Sequence, residues 1–131
     1  MKTTEDLTFD ITPIQHNIIM AMSGKVLVAN IYETWGEKTK RSHGEHRKHP
    51  KIRIGNKNYP RETFDKVHSM GFIINSCISV ESGEYRFALS GLGKLYVRSV
   101  QKTRLHTNGY CIRFEVTEKG AKAMDVRYAN G

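Results

Sequence analysis

The chain has 131 residues, 38% of them hydrophobic, two cysteines and a formal net charge of +8 at pH 7. That length suits a single domain with a real core. No apolar run approaches the roughly 18–20 residues of a membrane span, and two cysteines cannot form a disulfide scaffold. The acidic opening MKTTEDLTFD does not read as a signal peptide, so the expected setting is the cytoplasm, with Cys77 and Cys111 as reduced, buried thiols.

Residues 1–10 read as a loose or edge-strand lead-in. Thr12-Pro13 then supplies an N-cap and a proline at the first helical position. Ile14, Ile18, Ile19 and Met22 follow at helical spacing, which predicts a first helix over 13–22. Leu27, Ile31 and Trp35 continue at i, i+4, i+8 and predict a second helix. The β-branched Val26, Val28 and Ile31 leave a strand open as the alternative. Residues 36–51 lack apolar periodicity and read as a mobile basic loop. Pro60 opens a third helix with Phe64 and Val67 on its inner face and Gly71 as its terminating residue.

Beyond Gly71 the apolar period falls to two. Ile74, Ile78 and Val80, then Tyr85, Phe87 and Leu89, predict a hairpin about Ser82-Gly83, with Val80 opposite Tyr85 and Ile78 opposite Phe87. Ser90-Gly91-Leu92-Gly93-Lys94 lacks the spacing of a phosphate loop and reads as a flexible joint. Asn108-Gly109 is a strong hairpin turn signal and places a second hairpin over 93–116, in which Arg104 faces Arg113. Thr117 then caps a short helix over about 118–126. The expected fold is α+β in one domain: three N-terminal helices, two antiparallel hairpins and a short C-terminal helix.

The charge is concentrated. Residues 37–58 hold eight Lys and Arg side chains against Glu37 and Glu45, and residues 94–113 hold five with no acidic residue. Two such segments point to a polyanionic partner. On the second hairpin, Lys94, Arg98, Lys102, Arg104 and Arg113 would neutralise phosphate, with Tyr96 beside them able to stack on a base. Arg41, Arg47, Lys48, Lys51 and Arg53 would form a mobile arm that orders on contact. The outer face of the third helix presents Glu62, Asp65 and Lys66, which leaves Arg61 and Lys66 as its only contributions to nucleic-acid binding.

Pro60-Arg-Glu-Thr-Phe-Asp-Lys-Val-His-Ser-Met-Gly-Phe-Ile73 resembles the recognition helix of winged-helix DNA-binding domains and its exit into the sheet. Tyr110-Cys-Ile-Arg-Phe-Glu-Val-Thr-Glu-Lys-Gly-Ala-Lys-Ala-Met124 is similar to the return strand of the wing and the helix after it. The resemblance implies a third helix in the major groove and a wing on the backbone.

Other constellations argue less for chemistry. His43, His46 and His49 have a metal-like spacing, but Gly44 and Pro50 oppose a helix there and no nearby Cys or Asp offers a fourth ligand, so no metal site is assigned. No acid, base and metal set suggests catalysis, and a nuclease ranks last. The expectation is a non-catalytic, cofactor-free nucleic-acid-binding protein of the transcription-regulator type, with duplex DNA favoured over RNA. Two alternatives stand beside it: a protein-binding module using Glu62 and Asp65, and an RNA-binding module. Oligomeric state is not readable, and a dimer would suit a regulator.

Overall fold

The computed structural model describes residues 7–30, 51–105, 107 and 109–126. Among these are three helices and eight strands in three sheets. The first sheet has the order β1-β7-β8, built from β1 (Leu7–Ile11), β7 (Cys111–Thr117) and β8 (Gly120–Val126). The second has the order β2-β6-β5, from β2 (Leu27–Asn30), β5 (Ile73–Ser79) and β6 (Glu84–Leu89). A separate hairpin pairs β3 (Lys51–Ile54) with β4 (Lys57–Pro60). Every pairing is antiparallel.

Local chemistry accounts for the helices. In α1 (Pro13–Ala21) the Thr12 hydroxyl accepts from Gln15 N–H, and the Gln15 side chain returns a bond to Thr12 N–H. This reciprocal cap satisfies two of the donors that a helix start leaves without partners. Helix α2 (Arg61–Ser69) buries Phe64 and Val67 and ends at Met70. Helix α3 (Gly91–Thr103) is capped by the Ser90 hydroxyl, which accepts from Gly93 N–H at 3.1 Å. One apolar cluster joins all three sheets, with Ile52, Phe87 and Ile112 as members from each. Phe72, fully buried, sits among Phe9, Tyr96 and Phe114, with ring centroids 5.0–6.0 Å away.

This architecture overturns the expectation of three N-terminal helices, two hairpins and a C-terminal helix. The largest correction is α3. Residues 91–103, expected as a flexible joint and the first strand of a wing, form the longest described helix. Leu92, Tyr96, Val97 and Val100 recur at helical spacing and face the core, and this apolar stripe decides the conformation. The strand β7 therefore pairs with β1 and β8, not with residues 103–105, and Arg104 does not face Arg113.

Residues 118–126, expected as a helix, form the turn and strand of the β7–β8 hairpin. Thr117 Oγ1 accepts from Lys119 N–H and donates to Gly120 O, so the expected helix cap ties a turn. Residues 27–30 adopt the strand alternative, because β2 pairs with β6 through Leu27 and Phe87. The rest of the expected second helix, including Trp35, lies outside the described residues. The first hairpin forms, but in another register: Cys77 faces Tyr85 and Asn75 faces Phe87. A turn over residues 80–83 replaces the two-residue loop, and the ladder is interrupted between Cys77 and Ser79. Ile74, Ile78 and Val80 are consequently exposed, as is Cys77, which was expected to be buried.

A basic helix face as candidate nucleic-acid interface

Lys94, Arg98 and Lys102 stand at i, i+4 and i+8 on α3, and all three are exposed. With Gln101 they occupy about 100° of the helix circumference, and successive cations are about 6 Å apart along the axis. The helix has no acidic residue. Among the described residues none of these cations is held in an ion pair. Among the described residues the row is therefore a line of positive charge with no carboxylate paired to it.

The row is fixed from behind. Ser90 N–H donates to Phe72 O at 2.9 Å, and Ser90 Oγ donates to Gly71 O at 2.5 Å. A Cβ built on Gly93 would lie 2.3 Å from Phe72 O and 2.9 Å from Leu89 Cδ2. Only glycine allows the start of α3 to approach the end of α2 so closely. Farther along, Tyr96 is fully buried, its hydroxyl 2.8 Å from His16 Nδ1 and its ring 5.1 Å from Phe114. Burial first, and the Asp125 carboxylate second, push the Tyr96 phenol well above its ordinary pKa.

The expected site residues separate in the structure. Lys94, Arg98 and Lys102 come together on one face, and Arg104 follows at the end of α3, exposed and in the left-handed conformation (φ 60°, ψ 42°). Tyr96, expected to stack on a base, points inward and cannot. Arg113 lies on β7, with Nε 3.6 Å from Asp10 Oδ1, so its charge has a carboxylate neighbour. Lys51 and Arg53, expected on a mobile arm, lie on the exposed side of β3, whose alternate residues Ile52 and Ile54 are buried. Arg41, Arg47 and Lys48 lie outside the described residues, as do His43, His46 and His49.

Arg61 on α2 pairs with Asp65 at 3.4 Å. Glu62, Asp65 and Lys66 are exposed, as expected, and line a cleft of about 720 Å³ between α1 and α2 together with Thr12 and Gln15.

Lys25 was missed. It precedes β2 and shares with Lys94 and Arg98 the lining of a second recess. No sequence signal marks it, since it becomes a neighbour of α3 only through the pairing of β2 with β6. Among the described residues no group of three or more His, Cys, Asp or Glu side chains could hold a metal ion. No helix of the described residues is long and apolar enough to cross a membrane. No family model, curated protein or solved structure matches the chain.

Proposed function

We propose that this protein binds nucleic acid without catalysis, duplex DNA in preference to RNA, through the outer face of α3. The observation that carries the reading is the unbroken row Lys94, Arg98, Lys102 on a helix free of acidic residues. Such a row neutralises successive phosphates and releases their counterions, the main source of sequence-independent affinity. Duplex is favoured for two reasons. An exposed helix matches the roughly 12 Å width of a major groove. Burial of Tyr96 also takes from this face the one aromatic side chain expected to stack on the bases of single strands or RNA loops beside the α3 cations. A role of the transcription-regulator kind fits such a surface.

The test is a fluorescence-anisotropy titration against labelled duplex DNA, single-stranded DNA and RNA over a range of salt concentrations. Lys25, Lys94, Arg98, Lys102 and Arg104 together predict a log–log salt slope of about −4.5 on duplex. This is shallower than a surface including Arg113 and the whole of 37–58 would give. A slope near −1, or no binding at low salt, overturns the reading.

A second reading, a protein-binding module, is favoured by the α1–α2 cleft with its two carboxylates, Glu62 and Asp65. A basic partner segment would complement it. Reversal of those two charges separates the readings, since it abolishes such a complex and leaves nucleic-acid binding in place.

A further inference from the structure

We propose that the recess between the start of β2, the end of β6 and α3 binds a small organic anion with an apolar body, such as an aliphatic or aromatic carboxylate. The recess shares Lys25, Lys94 and Arg98 with the proposed nucleic-acid surface, but its ligand goes beyond that reading. The recess has a volume of about 450 Å³, within the range of roughly 300–1,000 Å³ usual for small-molecule sites. Its floor is apolar: Met22, Leu89 and Val97 are buried there beside Ala88, and Val26, 59% exposed, forms a wall. Its charged lining is wholly cationic, with Lys25 from one side and Lys94 and Arg98 from α3 on the other. Ser23 and Gln101 add neutral hydrogen-bonding groups.

This combination selects a ligand. A phosphodiester backbone is served by the convex row of α3 and has nothing to place on an apolar floor. A neutral hydrocarbon would gain from the floor but leave three cations unanswered. A cation is repelled by all three. A ligand with an apolar body and one anionic head satisfies both surfaces, because the floor takes area out of water while the head sits among opposite charges. Two other recesses lack this asymmetry. The α1–α2 cleft sets Glu62 and Asp65 beside Lys66, and the β7–β8 turn sets Glu115 and Glu118 beside Lys119 and Lys122. Among these three recesses of the described residues, the one under α3 alone sets charge of a single sign over a buried apolar floor.

The experiment is calorimetric titration of the full chain with 1-naphthoate and decanoate, using 1-naphthalenemethanol and decylamine as neutral and cationic counterparts. Saturable one-to-one binding of the acids is expected. The alcohol should bind about tenfold more weakly and the amine not measurably, as attraction to a cluster of positive charges requires. Lys94→Ala and Lys25→Glu, both at exposed positions, should each weaken naphthoate binding several-fold. Val26→Glu should abolish it while leaving the far-ultraviolet circular dichroism unchanged. Lys102→Ala, on the basic row but not in the recess, should leave it intact. Absence of saturable binding at millimolar acid overturns the proposal. So does equal binding of the amine, or an affinity indifferent to Lys25→Glu and Lys94→Ala. Any of these results leaves DNA binding by α3 to stand or fall by its own titration.

Discussion

Helix α2 gives way to the β5–β6 hairpin through Gly71, at φ +96°, where Phe72 N–H reaches back to Val67 O at 3.3 Å. Helix α3 gives way to β7 through Arg104, at φ 60°, where Leu105 N–H reaches back to Val100 O at 3.2 Å. The two ends use the same six-to-one closure, followed in each case by an apolar residue that packs inward. Their outer faces are opposite in character: Glu62 and Asp65 against Lys66 on one, Lys94, Arg98 and Lys102 without opposition on the other. A helix that leads into a hairpin is thus used twice, and among the described residues its second use presents a row of cations and its first does not. Position in the fold does not decide where such a partner would bind; the sign of the exposed charge does.

Substitutions on the two helices test this contrast. The largest effect is expected at the joint between the two units. Gly93→Ala forces a methyl group into Phe72 O and Leu89 and should cost about 3 kcal/mol of stability, read as a lowered urea midpoint. Gly71→Ala, whose Cβ would meet Leu92 Cδ2 at an ordinary 3.8 Å but at an unfavourable φ, should cost only about 1–2 kcal/mol. Equal costs would mean that the close approach at α3 is not constraining.

Next is the double reversal Lys94→Glu/Arg98→Glu, which should lower duplex DNA affinity by at least about tenfold and flatten the salt slope by about 2. The matched double reversal on α2, Glu62→Lys/Asp65→Lys, should leave affinity equal or slightly higher. A larger loss from the α2 variant would transfer the interface to α2.

Tyr96 gives the fold a pH dependence. Its phenol ionises at a higher pH when folded than when unfolded, so the folded chain holds the proton more tightly. The associated stability is complete below about pH 10, the unfolded value. It is lost as pH rises from there through the folded pKa. Urea midpoints should therefore fall steeply above about pH 10, and Tyr96→Phe should flatten that fall. At neutral pH the same variant, lacking the hydroxyl near His16, should be less stable by about 1 kcal/mol. The smallest effect is at Arg104, a side chain held in the left-handed region. Arg104→Gly should stabilise the chain by about 0.5–1 kcal/mol, seen as a rise in Tm, while removing one cation from the end of the row.

Single elements of this fold were legible where a local signal and the tertiary demand agreed, although their assembly was not. Thr12-Pro13 marks the start of α1, Phe64 and Val67 with Gly71 define α2, and alternation about Ser82-Gly83 marks the existence of the β5–β6 hairpin but not its register or its buried face. Legibility failed at α3 because its cations are four residues apart. That spacing is an even multiple of the strand period and also close to one helical turn, so Lys94, Arg98 and Lys102 share a face in either conformation. The triplet Tyr96, Val97, Val100 distinguishes the two, yet β-branched valines and two glycines in the first turn obscure it. At the C-terminal end Ala121, Lys122 and Met124 favour a helix intrinsically, and pairing with β7 overrides that preference. Of the site, the cations of α3 were legible and their companions were not. Lys25 joins them, and Arg113 leaves them for Asp10, through strand pairings that no local pattern records.

The bonds that fasten Ser90 and Gly93 behind α3 also set a timescale. Both amides are hydrogen-bonded and both residues are buried, one amide on Phe72 O and the other on the Ser90 hydroxyl. Helix starts ordinarily fray, and their amides exchange with solvent through small local openings. Here opening the first turn of α3 also breaks its attachment to the end of α2. These two amides should therefore exchange their protons as slowly as the interior of the sheets, and the basic row should be presented to a partner as a rigid edge.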